Sequence, residues 1–144
     1  MSHLYPNSEL RNQPDYEADD EDALQDDEFN DESFLHELSQ AIHAVFKTHK
    51  GTFFPYFEQL LPALQSFLSH PDPGARHWAI CVFDDLIEFA GPDSVKYQPH
   101  FLAQLASSLA DPDADVRQAA CYGIGVAALN GGGGYTTLCT GIIF

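Results

Sequence analysis

Between Pro73 and Gly91 the apolar and polar residues recur with the period of a helix. At 100° per residue, Trp78, Ala79, Val82, Phe83, Leu86, Ile87, Phe89 and Ala90 fall on one broad arc. His77, Cys81, Asp84, Asp85 and Glu88 fall opposite. So wide an apolar side predicts a helix over 74–90 that packs on more than one neighbour, with a narrow acidic strip left in water. Pro73 and Gly74 suit its start and Gly91-Pro92 its end. Upstream, Phe34, Leu35, Leu38, Ile42, Val45 and Phe46 predict a helix over 33–50, beginning near Asp31–Ser33 and broken by Gly51. Leu60, Leu61, Leu64, Phe67 and Leu68 predict the buried side of a helix over 53–69, with Pro55 in its first turn and Pro62 kinking it. Downstream, helices are expected over 95–110, with Pro99 in the first turn, and over 114–129. The latter is built on Ala119, Ala120, Gly123, Gly125, Ala127 and Ala128, small residues that let helices approach closely. Residues 131–144 read as a flexible Gly-rich break followed by the unfinished apolar start of another element.

The pattern repeats. A shift of 41 residues lays Tyr56 on Tyr97, Leu61 on Leu102, Leu64 on Leu105 and Leu68 on Leu109. It also lays Pro71-Asp72 on Pro112-Asp113, Arg76 on Arg117 and Ala79 on Ala120. A period near 40 residues made of two antiparallel helices is the signature of HEAT or armadillo solenoids. Tight Asp/Pro turns, as in 69–73 and 110–114, suit the joint within each pair. The expected fold is therefore all-α, a HEAT-repeat solenoid of about two and a half helix pairs over 33–130. A disordered acidic segment, 1–32, would precede it. The apolar ending (Leu138, Ile142, Ile143, Phe144) and the unpaired first helix suggest a piece of a longer solenoid.

Charge sharpens the picture. The chain carries a net −16, of which −11 falls within residues 1–32. Asp15–Glu32 holds eleven acids in eighteen positions, among them Asp19, Asp20, Glu21, Asp22, Asp26, Asp27 and Glu28. Such a block repels itself and has little apolar surface to bury. It admits two readings: a solvated tail, or electrostatic bait for Lys/Arg-rich partners. Either disfavours direct binding to nucleic acid or an anionic membrane. No run is long and apolar enough to span a membrane, and no secretory signal is visible at the N-terminus. The three cysteines, Cys81, Cys121 and Cys139, are odd in number and widely spaced, as expected of free thiols in a reducing compartment.

Candidate chemistry is sparse. His77, Cys81, Asp84 and Glu88 share one helical face, but no second cluster completes a metal shell. The carboxylates at 84, 85 and 88 lie on an expected exposed helix, without a pocket to split their pKa values as an acid/base pair requires. Gly123-Ile-Gly125 and Gly131–Gly134 follow no strand, so they do not make a nucleotide loop. No catalytic residues, cofactor or metal site is expected. Asp84, Asp85 and Glu88 remain as a charged surface for a partner.

Several stretches resemble importin-β superfamily receptors (karyopherins), in particular the importin-4/importin-5 type. These are His43-Ala-Val-Phe-Lys-Thr-His-Lys50, Phe57-Glu-Gln-Leu-Leu-Pro62, Trp78-Ala-Ile-Cys-Val-Phe-Asp-Asp-Leu-Ile-Glu88 and Asp115-Val-Arg-Gln-Ala-Ala-Cys-Tyr-Gly-Ile-Gly-Val126. The resemblance runs from the acidic segment to Tyr135 and implies a piece from the C-terminal half of a longer receptor. It implies carriage of basic cargo (import signals, histones or ribosomal proteins) between cytoplasm and nucleus, released by Ran-GTP. It also implies contacts with Phe-Gly nucleoporins. Cargo would meet the second helices, where Asp84, Asp85 and Glu88 lie. The resemblance further places Asp111 and Arg117 in a ladder linking successive repeats. Arg76 is kept in the first repeat, while His70 replaces the Asp there. The runner-up readings are a HEAT scaffold of another complex and an acidic, histone-chaperone-like module acting through residues 15–32.

Overall fold

The computed structural model describes the backbone of residues 18–143 and the side chains of 33–136, 140 and 141. It is all-α, with no strand among the described residues. Contacts divide the chain into two units, 1–38 and 39–144.

The described part of the first unit is the beginning of α1 (Ala18–His49). The acidic stretch was expected to be disordered up to residue 32, yet its backbone is helical from Ala18, well before the predicted start. Glu, Gln, Ala and Leu are strong helix formers, and acids in the first turns favour the positive end of the helix. Those terms outweigh the self-repulsion on which the expectation of disorder rested. The expectation for residues 1–17 lies outside the described residues.

The second unit starts with the rest of α1, which ends in Lys47 and His49. A 3₁₀ turn (Lys50–Phe53) then leads to α2 (Phe54–Leu68), with Pro55 in the first turn as predicted. The α-helix continues through Pro62. Next come α3 (Pro73–Ala90) and a 3₁₀ stretch (Gly91–His100). The short α4 (Leu102–Ser107), a 3₁₀ turn (Ser108–Ala110), α5 (Ala114–Asn130) and α6 (Gly133–Ile143) complete it. The helix expected over 95–110 is thus broken into three. Pro92 and Pro99 lack the N–H an α-helix needs, and Pro99 sits inside the 3₁₀ stretch, not in a first α-turn. The flexible break foreseen at the head of 131–144 is only two residues long, because α6 already begins at Gly133. Gly131 is buried where a Cβ would collide with the Tyr135 ring and come within 2.6 Å of the Ala127 carbonyl, so the glycine serves tight packing, not flexibility.

The 41-residue repeat is visible in atomic detail. Asp72 caps α3 by accepting from the Gly74 and Ala75 N–H groups, and Asp113 caps α5 by accepting from Asp115 and Val116. Each such cap contributes about 1 kcal/mol. The Arg76 guanidinium donates to the His70 and Pro71 carbonyls at 2.8 and 2.9 Å; Arg117 donates to those of Asp111 and Pro112 at 2.7 and 2.9 Å. Arg76 also forks onto Asp111, with both contacts at 3.0 Å, joining the two turns. His70 takes the place of Asp111 in the first turn: its Nδ1 accepts from the Asp72 N–H at 3.0 Å, as Asp111 Oδ1 accepts from the Asp113 N–H at 2.9 Å.

A row of buried rings threads successive elements and forms the core. Phe46 meets Phe57 edge-on at 5.4 Å, Phe57 meets Phe83 at 6.1 Å, and Phe83 stacks on Phe101 at 4.8 Å. Phe101 lies 6.5 Å from Tyr135, whose hydroxyl reaches the Ser94 hydroxyl at 2.9 Å. Trp78 belongs to the same core, edge-on to Phe67. Leu60, expected inside, is 40 % exposed and neighbours the exposed Tyr56 on the outer side of α2. The apolar arc of that helix is narrower than its leucine content suggests.

Candidate functional site

The acidic residues of α3 do not form a freely solvated strip. Ala75, Trp78, Ala79, Ile80, Val82, Phe83, Asp84, Leu86 and Ile87 are all buried, and His77, Cys81, Asp85 and Glu88 are half-buried. The periodicity separated the faces of α3 correctly, but both faces are covered. The expectation of an exposed strip is therefore corrected. The cause is the approach of α5, which brings Gly123 against Asp84: a Cβ there would run into Oδ1 of Asp84 and sit 3.1 Å from Leu105 Cδ1. Only glycine admits the carboxyl group at that point.

Each carboxyl group is held differently. Asp84 is 4 % exposed, and its Oδ1 has no hydrogen-bond partner among the described residues. Burial, with the charges of Asp85 and Glu88 beside it, pushes its pKa up to about 9, so it is protonated at neutral pH. Asp85 Oδ1 pairs with His43 Nδ1 of α1 at 2.9 Å. Burial raises Asp85 above the usual carboxylate range, and His43 opposes that shift. His43 also meets Phe89 edge-on at 5.1 Å. Glu88 Oε2 accepts a 2.9 Å hydrogen bond from the hydroxyl of Tyr122 on α5. That bond pushes the tyrosine up to about 12. His77 Nε2 lies 3.7 Å from Cys81 Sγ, and burial drives the thiol to about 12, leaving it a poor nucleophile.

His43 and Tyr122 were not anticipated as members of the site. They come from elements 42 and 34 residues away from their partners, and nothing local marks them. Asp19, Asp20, Glu21, Asp22, Asp26, Asp27 and Glu28 fall on the backbone of α1, and their side chains lie outside the described residues. Arg76 lies in the first turns of α3, two helical turns before Asp84, Arg117 in the first turns of α5, and Asp111 in the turn before α5. Among the described residues no group of three His, Cys, Asp or Glu side chains could hold a metal. No described helix is long and apolar enough to cross a membrane. The thiols of Cys81 and Cys121 are free, and the side chain of Cys139 lies outside the described residues.

On the α5 side of the cluster the surface is open. Tyr122 is 52 % exposed, Leu129 is 82 % exposed, and nothing lies within 4 Å of a Cβ placed on Gly125. The cluster therefore combines two hydrogen-bonded carboxylates and a neutral acid beside an exposed aromatic ring. It has no nucleophile and no acid/base pair with a pocket. It is suited to binding.

Residues 5–70 match the family model of importin repeat 6, and 101–130 match that of the HEAT repeat. The chain is 33 % identical to importin subunit beta-3 of Saccharomyces cerevisiae over 119 residues, which is 83 % of this chain and 11 % of that protein. It is 29 % identical to a probable importin-5 homolog of Dictyostelium discoideum, over 86 % of this chain and 12 % of that one. The solved structure of the karyopherin Kap121p bound to the SUMO protease Ulp1p superposes with a TM-score of 0.75 and 30 % identity, covering 96 % of this chain and 13 % of Kap121p. Other similar structures hold Kap121p with RanGTP, Pho4p or Nup53p. The chain thus spans about an eighth of the length of these relatives.

Proposed function

The chain belongs to the importin-β family, and on that premise we propose that it serves a nuclear transport receptor by binding basic cargo. The observation that carries this reading is the likeness to Kap121p along 96 % of the chain, at 30 % identity. Kap121p complexes with Pho4p, RanGTP and Nup53p support cargo, Ran-GTP and nucleoporins as partner classes of the whole receptor. Shuttling between cytoplasm and nucleus follows from the same reading, and so does a role without catalysis.

In the proposed mechanism, Asp85 and Glu88 on the second helix of the first repeat offer negative charge to Lys and Arg side chains. The acids of α1 between Asp19 and Glu28 raise the local concentration of such partners. Attraction of this kind is collective. A single surface carboxylate contributes on the order of 0.2–1 kcal/mol, and salt weakens the sum. The ladder set Arg76, Asp111 and Arg117 would hold successive repeats in register so that their second helices form one continuous surface.

The test is binding of a Lys/Arg-rich import-signal peptide to the chain over a salt series. One variant neutralises Asp85 and Glu88 (Asp85→Asn with Glu88→Gln). A second neutralises the seven acids of α1 from Asp19 to Glu28. A drop in affinity in the first variant, with the melt unchanged, supports a cargo surface on α3. A drop only in the second would favour an acidic, histone-chaperone-like action of α1. No binding at any salt would overturn the basic-cargo reading.

A further inference from the structure

All the lysines of the chain, Lys47, Lys50 and Lys96, gather around the turn that joins α1 to α2. Lys47 lies in the last turn of α1, and Lys50 opens the 3₁₀ turn that follows. Lys96 arrives from the 3₁₀ stretch after α3. Its ammonium lies 4.6 Å from the ring centroid of Phe54, the first residue of α2, and 5.0 Å from that of Tyr97. The three lysines are exposed, and among the described residues none of them forms an ion pair. Of the acids at hand, Glu58 accepts from the Tyr97 hydroxyl at 2.7 Å, and Asp93, in the same 3₁₀ stretch as Lys96, makes no ion pair with it.

A cation at the end of a helix complements the helix dipole, which accounts for Lys47 but not for Lys50 or Lys96. Lys50 has φ +47°, and among the described residues no other non-glycine has a positive φ. A left-handed residue just after a helix is ordinarily glycine. Gly51 is next in line, yet the lysine takes the position. The turn is held from both sides: the Thr52 hydroxyl donates to the His49 carbonyl, and the Phe53 ring meets buried Phe46 edge-on at 5.0 Å. Strain kept at an exposed, charged residue points to a use for the direction in which its side chain is sent. Beside it Phe53 stacks on Tyr56 with centroids 6.3 Å apart, and the tyrosine is turned outward.

We propose that this corner binds an acidic, aromatic-bearing segment of a partner protein, with Lys47, Lys50 and Lys96 meeting its carboxylates and the Phe53–Tyr56 pair meeting its ring. Charge complementarity selects this occupant. The corner holds half of the 6 Lys and Arg residues of a chain whose net charge is −16, and its paired rings fit an apolar residue set among acids. At physiological salt the Debye length is about 8 Å, so acids far from the corner are screened from a ligand seated on it. None of the α3 carboxylates takes part, so this surface stands or falls independently of basic cargo.

The test is fluorescence anisotropy of a labelled peptide of Asp and Glu around a central Phe, titrated with the full chain at about 0.15 M salt. Saturable binding is expected, and none to the same peptide with Asn and Gln in place of its acids. Lys47→Gln, Lys50→Gln and Lys96→Gln together should weaken it about tenfold, and each alone about two- to fivefold. Lys50→Gly separates a binding role from a structural one. It should raise the melting temperature by roughly 2–6 °C, by relieving the left-handed strain, and still weaken binding as Lys50→Gln does. Tyr56→Ser should weaken the Phe-bearing peptide about two- to fivefold and leave a peptide with Gly in place of Phe unaffected. The proposal is overturned if the acidic peptide does not bind, or if the triple variant keeps both its melt and its affinity. It is overturned equally by a Lys50→Gly variant that gains no stability or keeps full affinity. Tighter binding of a single-stranded oligonucleotide than of the peptide would also sink it. So would self-association in sedimentation that the triple variant abolishes while the peptide stays unbound, since that would assign the corner to a second copy of the chain.

Discussion

The first helix pair (α2, α3) and the second (the 3₁₀–α4 run and α5) carry the same sequence signals 41 residues apart, but the signals do different things. Tyr56 is 65 % exposed, whereas its counterpart Tyr97 is 4 % exposed, packed edge-on to Phe54 and Phe57 and donating to Glu58 at 2.7 Å. Arg76 and Arg117 hold equivalent carbonyls, yet among the described residues only Arg76 pairs with a carboxylate, Asp111, on its other side. α3 buries large side chains and an acid, while α5 packs through Ala119, Ala120, Gly123 and Ala127. In a stack of repeats the motif alone does not set an interaction's strength; the neighbour does.

The contrast is sharpest at the glycines of α5, and the largest effect is expected there. Gly123→Ala places a methyl group against Asp84 Oδ1 and Leu105 Cδ1, so the buried carboxyl group must turn out of its place or α3 and α5 must separate. Overpacking at such a site costs about 1–3 kcal/mol or more. Thermal or urea melts of this variant should show it among the most destabilised single substitutions in the chain. A melt equal to that of the wild type would mean that Asp84 is not packed tightly against Gly123.

Asp84 and Asp111 form a second comparison, read through pH. Asp84 has its folded pKa raised to about 9 from an ordinary value near 3.8. The native state therefore keeps a proton that the unfolded chain has lost across that interval. Its contribution is complete below about pH 4, declines as pH rises towards 9, and then levels off. The slope is at most about 1.4 kcal/mol per pH unit. Asp111 is the reverse: the hydrogen bonds from Arg76 hold it below the ordinary range, so its contribution is present at neutral pH and is lost in acid. Asp84→Asn should accordingly gain stability relative to the wild type as pH rises from 5 to 8. Asp111→Asn should instead lose stability relative to the wild type as pH rises from about 3 to 5, and the difference should then stay level up to pH 8. Melting curves at four pH values decide this, and parallel trends for the two variants would contradict the assignment.

The two arginines come next in size. Arg76→Ala removes four guanidinium hydrogen bonds, two to carbonyls and two to Asp111, and leaves a largely covered Asp111 without its cation, a loss of about 1–3 kcal/mol. Arg117 is exposed and, among the described residues, donates only to the carbonyls of the turn before α5, so Arg117→Ala should cost about 0.5–1.5 kcal/mol. Equal losses in urea titration would mean that the carboxylate adds nothing to the link between repeats.

Much of this was legible in the sequence. Repeats and turn prolines are local signals, and the Asp/Pro turns, Pro55 and the limits of α3 and α5 fall where composition and spacing put them, while the capping of those helices by Asp72 and Asp113 is seen only in the structure. Two kinds of feature were not legible. One is competition between local terms: Pro92 and Pro99 override the Leu102, Leu105, Leu109 period, and the helix-forming acids of α1 override their own repulsion. The other is what covers a face. A helical period tells that Asp84, Asp85 and Glu88 share one side of α3, but the covering groups, His43, Gly123 and Tyr122, arrive from far along the chain.

Gly125 offers the smallest effect and the cleanest control. It is two residues from Gly123 on the same helix, but it is exposed, and nothing lies within 4 Å of a Cβ built on it. With no contact to lose, Gly125→Ala should act only through backbone entropy and helix propensity, stabilising the fold by about 0.5–1 kcal/mol. Opposite signs at 123 and 125 would show that the close approach, not glycine content, governs how α5 packs. Gly125 also lies on the open surface beside Tyr122. If the more stable alanine variant binds basic peptide less tightly, the bare backbone at 125 is part of what the partner touches. If affinity is unchanged, the glycine there only lowers the stability of α5, and the contact ends at Tyr122 and Glu88.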